Sequence, residues 1–133
     1  MAKKRTKSPL VTIGRKRVLA VLFIPSVERD GVTAIEQQRW VDAALETFGR
    51  LFGGATAYPK ARGIWRDDKR GGILVKDKPV VVHCYTTPEE IEDPKNLAEL
   101  GLFCKTMGRE AKQGEIGLVI GDVYFAIRNF VED

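Results

Sequence analysis

Seven consecutive apolar residues, from Val18 to Ile24, constrain the fold more than any other feature of this chain. Neighbouring residues of a β-strand point to opposite faces, so both faces of a strand with this sequence are apolar. A strand with one face in water would alternate apolar with polar residues instead. We therefore predict a strand over residues 17–25 that is covered on both sides and that ends at Pro25.

The same run follows a basic segment, as the apolar core of a secretory signal does. It is short for that role and no small-residue cleavage site follows it, while a helix that spans a bilayer needs about 20 apolar residues. Cys84 and Cys104 stand apart in the sequence and are unsuited to a disulfide framework. We therefore expect a cytoplasmic protein with no membrane partner.

Composition excludes several function classes. The 133 residues are 44% hydrophobic and 30% charged, which fits one globular domain with an ordinary core. Two cysteines and one histidine are too few for a zinc site of the usual Cys/His kind. We expect neither a metal site nor a cofactor.

The net charge of +4 comes from the N-terminus. The first 17 residues contain no acidic side chain and seven of the 22 basic ones: Lys3, Lys4, Arg5, Lys7, Arg15, Lys16 and Arg17. We predict a basic arm over residues 1–16, followed by a single domain over residues 17–133. Nucleic acid is expected to bind, if at all, only through this arm, which is otherwise a solubilising tail.

The first helix is predicted from the capping-box pattern Thr33 to Glu36, in which each side chain bonds the free backbone amide of the other. An apolar stripe then follows at helical spacing, made of Trp40, Ala44, Phe48 and Phe52. The pair Gly53-Gly54 ends the helix. This stripe is typical of a helix that packs on a core.

Two hairpins are predicted. Residues 55–66 and 72–85 form the first around a polar tip, and Pro59 and Pro79 should kink or interrupt its strands. Residues 115–120 and 123–127 form the second, through the two-residue turn Gly121-Asp122.

A second helix is predicted between the hairpins. Thr87-Pro88 and Asp93-Pro94 are both helix-start signals, and the apolar face that follows ends near Gly114. The resulting order is β-α-β-β-α-β with an extra C-terminal strand. We predict an α+β fold of the ferredoxin-like, split β-α-β kind, an antiparallel sheet with two helices on one face.

Two helices leave the other face of such a sheet bare, including Val81 and Tyr85, although the first strand is apolar on both faces. The simplest cover for that face is a second copy of the chain. We therefore predict a homodimer in which the two sheets meet.

The densest polar cluster runs from Arg62 to Gly72. Guanidinium groups beside an indole suit a phosphate, a carboxylate or an unstacked base. Asp67 and Asp68 are of the type that holds a hard cation. The predicted ligand-binding residues are Arg62, Trp65, Arg66, Lys69 and Arg109. The alternative is a charged hairpin tip whose side chains pair with one another.

His83 is the only histidine, the side chain that most often acts as a general base. Glu115 or Asp77 would orient it, and Cys84 or Ser26 would be the nucleophile. No such pair stands at the spacing of a known catalytic motif, and Cys84 points away from His83 on a strand. An interfacial histidine is the competing interpretation. The weak catalytic candidates are His83, Glu115 and Asp67.

Two stretches carry a resemblance: FGRLFGGATAYPKARGIWRDDKRGGILVKDKP at 48–79 and MGREAKQGEIGLVI at 107–120. Together they resemble small bacterial hypothetical proteins, and the strings WRDD-x-x-GG and QGE are the most specific. The resemblance implies a stand-alone bacterial α+β domain over residues 18–127, of ferredoxin-like type. It supplies no substrate, cofactor or catalytic residue.

Two functions from different classes follow. We predict first a non-catalytic homodimeric module that binds an anionic ligand, a protein or a nucleic acid, because no nucleophile and base stand at a recognised spacing. The alternative is a small enzyme that acts on a phosphoester or an acidic metabolite in an arginine-rich pocket. That pocket would use Arg62, Arg66 and Arg109.

Overall fold

The computed structural model of the protein describes residues 17–131. The basic arm predicted for residues 1–16 lies outside the described residues. Of its proposed nucleic-acid contacts only Arg17, which is exposed, is described. The elements in chain order are β1 (Val18–Ile24), α1 (Gln37–Phe52), β2 (Thr56–Ala57), β3 (Gly63–Asp67), β4 (Ile73–Asp77), β5 (Val80–Thr86), α2 (Pro88–Glu92), α3 (Pro94–Glu110), β6 (Ile116–Ile120) and β7 (Val123–Ile127).

Five of the strands form one antiparallel sheet in the order β2-β5-β1-β6-β7. The remaining two, β3 and β4, pair only with each other. The prediction of an α+β fold with an antiparallel sheet is thus confirmed. The apolar strand β1 lies at the centre of the sheet, between β5 and β6.

The two faces of β1 differ in burial. Ala20, Leu22 and Ile24 are fully buried in a core that also contains the apolar faces of α1 and α3. The other face pairs Phe23 with Val81 and extends to Tyr124 through the paired rows of β6 and β7. We call this second surface the open face, and its β1 side chains are half-buried. Within residues 17–131, the chain therefore covers one side of β1 rather than two.

Helix α1 is held by its apolar stripe. Trp40, Ala44, Phe48 and Phe52 are all buried, and Gly53 ends the helix with a positive φ of 91°, both as predicted. The predicted capping box is wrong, because α1 begins only at Gln37. The Thr33 hydroxyl instead donates to Asp30 Oδ2 at 2.5 Å, which closes the preceding turn.

Both predicted start signals of the second helix begin a helix of their own. Thr87 Oγ1 accepts a hydrogen bond from Glu90 N at 3.2 Å at the start of α2, and Asp93 Oδ1 accepts one from Lys95 N at 2.8 Å at the start of α3. Such caps satisfy backbone amides that have no partner within the helix. Proline at the first position of each helix adds to both signals.

The first predicted hairpin is divided in two, which corrects its predicted continuous strands. Thr56 pairs with His83 in the main sheet, whereas Gly63 pairs with Asp77 in the separate sheet. Proline cannot donate a ladder hydrogen bond, so Pro59 and Pro79 break the strands between these pairs. The outer part, β3 and β4, leaves the main sheet, and we call residues 63–77 the wing.

No helix within residues 17–131 is long and apolar enough to cross a membrane.

Candidate functional site

A cleft of about 660 Å³ lies where the open face meets the wing. Phe23 and Tyr124 contribute from the open face, and Trp65 contributes from β3 of the wing. The loop after α3 contributes Gln113, Gly114 and Glu115. These segments are far apart in the chain, so the cleft exists only because the wing departs from the sheet beside the end of β1.

The carboxylate of Glu115 accepts a hydrogen bond on each of its two oxygens. Its Oε2 accepts a hydrogen bond from the Tyr124 hydroxyl at 2.7 Å, and its Oε1 accepts one from Arg128 Nε at 2.9 Å. Burial, and then the bond to Glu115, raise the pKa of Tyr124 to about 12. Tyr124 therefore remains a neutral donor at physiological pH. Both oxygens of Glu115 are fixed in direction, with lone pairs left for a ligand.

Gly117 makes room for the hydrogen bond between Tyr124 and Glu115. Tyr124 is paired diagonally with Gly117 on neighbouring strands, and its ring lies over that residue. A Cβ at position 117 would lie 2.7 Å from the Tyr124 hydroxyl, closer than real side chains approach, and a tight 3.1 Å from Cε2. Gly117 therefore leaves the space through which the phenol reaches Glu115.

The junction between wing and sheet is a small hydrogen-bond network. Asp77 Oδ1 accepts from Ser26 N at 3.0 Å, from Lys78 N at 2.8 Å and from the Ser26 hydroxyl. Lys78 N also donates to Ser26 Oγ at 3.1 Å. Ser26 is thus committed to holding the wing at the end of β1, which argues against its predicted role as a nucleophile.

The tip of the wing pairs its own charges. Arg66 Nε donates to Asp68 Oδ1 at 2.5 Å, and Arg70 Nε donates to Asp67 Oδ2 at 2.5 Å. The hydrogen bond from Arg70 lowers the pKa of Asp67 below its usual value. These ion pairs agree with the alternative prediction for this cluster, a charged hairpin tip whose side chains pair with one another. Arg66 therefore does not present an uncompensated charge to the cleft.

The cleft carries charges of both signs. Four basic side chains line it, namely Arg29, Arg66, Lys69 and Arg128. Five acidic side chains line it as well, namely Glu28, Asp67, Asp68, Asp77 and Glu115. Such a balance suits a zwitterionic or cationic ligand better than a phosphate group, which favours concentrated positive charge.

Several predicted site residues come together in this cleft. They are Trp65, Arg66, Asp67, Lys69 and Glu115. Arg62 and Arg109 do not line it, so the three arginines of the predicted pocket are not brought together. Arg62 is exposed just before β3, and Arg109 Nη1 donates to the backbone oxygen of Phe130 at 2.8 Å.

His83 lies in a different groove, so the predicted pairing of His83 with Glu115 is wrong. Its Nε2 lies 3.3 Å from the Tyr58 hydroxyl, and its ring packs edge-on against Tyr58 and Tyr85. Cys84 is on the covered face of the same strand, and burial raises its pKa to about 11. A thiol in that state is a poor nucleophile.

Sequence reasoning missed Tyr124 and Arg128. Tyr124 is on a predicted strand, and period two places it on the open face, but the strand pairing that brings it to Glu115 is not visible in the sequence. Arg128 follows the last strand and carries no motif. Among residues 17–131, no group of three or more His, Cys, Asp or Glu side chains is placed to hold a metal ion.

No family model matches the chain. No curated protein matches it either. Two solved structures share its backbone over nearly the whole length. A phage SAM lyase in complex with S-methyl-5'-thioadenosine has a TM-score of 0.65 at 15% identity and covers 95% of this chain and 100% of its own. A phage SAM lyase in the apo state has a TM-score of 0.64 at 16% identity, with the same coverage.

At this identity the likeness shows a common fold. It nevertheless corrects the leading functional prediction, a non-catalytic module, because both matched proteins are enzymes. The chain shares the fold of these phage SAM lyases.

Proposed function

We propose that the protein is a small lyase that cleaves S-adenosylmethionine and releases S-methyl-5'-thioadenosine. The match to a SAM lyase over 95% of this chain and 100% of the other supports this proposal. The observation that carries it is the content of the cleft, where the indole of Trp65 and the anchored carboxylate of Glu115 line one cavity. An adenosyl group needs a flat ring on which its adenine can stack and a fixed acceptor for the hydroxyls of its ribose.

The proposed reaction breaks the bond between the sulfonium sulfur and the four-carbon amino-acid chain. The electron pair of that bond goes to sulfur, which becomes a neutral thioether. The carbon that loses sulfur gains a bond from the carboxylate oxygen of the substrate itself, and a five-membered lactone forms. Atoms and charges balance without water or a proton acceptor.

The competing route removes a neighbouring proton and forms an alkene, which requires a protein base. Glu115, Asp67 and Asp77 already accept hydrogen bonds from Tyr124, Arg70 and Ser26, among other donors. His83 is in another groove. The geometry therefore supports the internal route, in which the cleft binds and orients the substrate and excludes water.

Four cleft residues have a role in this proposal. The adenine ring stacks on Trp65, whose side chain is 42% exposed. The ribose hydroxyls donate to Glu115. The neutral ring of Tyr124 offers a π face to the sulfonium, a favourable contact for a cation. Lys69 is the cleft residue that we assign to the substrate carboxylate.

Charge explains why Glu115 is assigned to the ribose rather than to sulfur. The positive charge of the sulfonium disappears as the bond breaks. An unscreened carboxylate beside it would stabilise the substrate more than the transition state and would slow the reaction. Glu115 is compensated by Arg128 at 2.9 Å, so its remaining capacity is that of a hydrogen-bond acceptor.

We also infer that the layout is the ferredoxin-like, split β-α-β kind with one added strand. Treating the two parts of the interrupted hairpin as one pair of strands, the sheet order corresponds to 2-3-1-4, with β7 added at the edge. The antiparallel pairing of all neighbours supports this inference.

The test is direct. The purified full chain is incubated with S-adenosylmethionine, and S-methyl-5'-thioadenosine and the four-carbon product are measured by liquid chromatography and mass spectrometry. A protein-free sample gives the spontaneous rate. In deuterated water the internal route leaves the carbon-bound hydrogens of the product unlabelled.

Trp65→Ala should lower kcat/KM about tenfold or more, since base stacking on an aromatic side chain contributes roughly 1–3 kcal/mol. Trp65→Phe keeps a flat ring and should lose less. Arg62→Ala removes a nearby exposed arginine that does not line the cleft, and it should behave as wild type. A rate equal to the protein-free rate, with no thermal shift from S-methyl-5'-thioadenosine, would overturn the proposal.

A further inference from the structure

Arg128 lies just beyond the last strand, where neither a strand nor a helix holds it. Its side chain is 75% exposed, and its ion pair with Glu115 is open to solvent. Exposed ion pairs contribute little and do not by themselves fix two long side chains. Something else must therefore hold the Arg128 backbone in place.

The contact that holds it lies two residues further along the chain. The ring of Phe130 sits directly on Gly108 of α3, so closely that a Cβ at position 108 would lie 2.2 Å from Cε1 and 2.4 Å from Cδ1. Arg109 Nη1 donates to the backbone oxygen of Phe130 at 2.8 Å. Phe130 is partly buried and packs against the main core. This segment is thereby fixed to the end of α3.

The end of α3 also sets the position of Glu115. Gln113 N donates to the Gly108 backbone oxygen at 2.8 Å, and Gln113 Nε2 donates to the Val27 backbone oxygen at 2.7 Å. The loop that carries Glu115 and the segment that carries Arg128 are thus held at the same turn of α3. A common anchor keeps the distance between the two charges constant.

We infer that residues 128–130 form a positioning element of the cleft, in which Phe130 seated on Gly108 aligns Arg128 and, through it, Glu115. Arg128 acts through Glu115 and is a positioning residue, and Gly108 contributes only the space that the Phe130 ring occupies. The effect on catalysis rests on the proposed function, whereas the alignment of Arg128 does not.

Gly108→Ala tests whether Phe130 aligns Arg128 independently of any effect on folding stability. The added methyl group collides with the Phe130 ring and displaces it. Alanine favours a helix more than glycine does, so the substitution offsets part of its own cost in α3. Gly101→Ala in the same helix is the matched control, because no atom lies within 4 Å of the Cβ it adds.

The first measurement uses no substrate. The chemical shift of the Arg128 Nε–H group in the full chain, observed by nuclear magnetic resonance, reports its hydrogen bond to Glu115. It should be the same in the wild type and in Gly101→Ala, and it should move toward the value of a free arginine in Gly108→Ala and, if that variant does not fold, in Phe130→Ala. An unchanged shift in folded Gly108→Ala and Phe130→Ala would overturn the inference.

The second measurement is the dissociation constant for S-methyl-5'-thioadenosine. We expect it to rise about tenfold in Gly108→Ala, because small misplacements of a positioned group are costly, and to be unchanged in Gly101→Ala. Equal binding by Gly108→Ala and wild type would overturn the link from Phe130 to Glu115. If the wild type binds neither this compound nor S-adenosylmethionine, the proposed function fails, and the resonance measurement still decides whether Phe130 aligns Arg128.

Discussion

The two faces of the central sheet differ in burial, although both include apolar side chains of β1. On the covered face, Leu22 of β1 and Val82 of β5 are fully buried beneath the helices. On the open face, Val21 and Val81 are half-buried, and the same surface leads to the cleft at Phe23. Burial within the chain thus concentrates stability on the covered face of the sheet and leaves the open face available for a ligand or a partner.

The largest expected effect tests that difference with two adjacent residues. Val82→Ala should lower the free energy of unfolding by about 2–3 kcal/mol, because it removes two buried methyl groups and leaves a cavity. Val81→Ala, with the same change on the open face, should lower it by about 1 kcal/mol. Denaturation in urea measures both. Equal losses would show that the open face is as well covered in solution as the helix face.

The second prediction concerns what covers the open face. We propose that two copies meet there, since its apolar row is only half-buried and Tyr85 is 60% exposed. Light scattering at micromolar concentration should give about twice the 14.8 kDa of one chain.

Tyr85→Arg should produce the monomer, whereas Leu102→Arg, an exposed leucine of α3 on the other side, should not. A wild-type protein that remains monomeric at high concentration contradicts the proposal. An assembly larger than a dimer would be consistent with an interface on the open face but would contradict a two-fold dimer.

The smallest expected effect comes from Tyr124, at the edge of the open face. Its pKa of about 12 in the folded chain exceeds the ordinary value of 10.0, so the unfolded chain ionises first. The associated stability is complete below pH 10 and is lost as the pH rises toward 12. Because Tyr124 is 54% exposed and solvent screens its interactions, we expect less than about 1 kcal/mol.

Urea unfolding at about pH 9 and about pH 11 would detect this loss, and Tyr124→Phe should lack it. A wild type and a Tyr124→Phe variant with the same pH dependence would contradict the assignment. Cys104, whose pKa burial raises to about 12, is a control from the covered face that should resist alkylation throughout this range.

Much of the fold could be predicted from local patterns. The uninterrupted apolar run predicted the strand β1, although only one of its faces is covered within residues 17–131, and Thr87 and Asp93 marked the two helix starts. The capping box predicted at Thr33 was wrong because the Thr33 hydroxyl has a second local partner, Asp30. The sequence does not determine which of the two hydrogen bonds forms. The prolines indicated a break in the hairpin but not the direction in which the wing turns.

The site was harder to predict than the fold. Trp65 and Glu115 were recognised by residue type, but their meeting depends on the angle of the wing. Tyr124 reaches Glu115 through a space that exists because residue 117 is glycine, a cross-strand relation without a sequence signature. His83 attracted attention as the only histidine, although strand geometry places it in another groove.

The central position of β1 has a consequence for the order in which the protein is made. Val18 pairs with Thr86 and Ala20 pairs with Ile120, so neither neighbour of β1 is adjacent to it in the chain. At a synthesis rate of about 5–20 residues per second, the ribosome needs roughly 5–20 s after β1 to complete β6. The most apolar strand thus leaves the ribosome before both of its neighbours, and until they are complete the nascent chain exposes the segment that most needs protection from other chains.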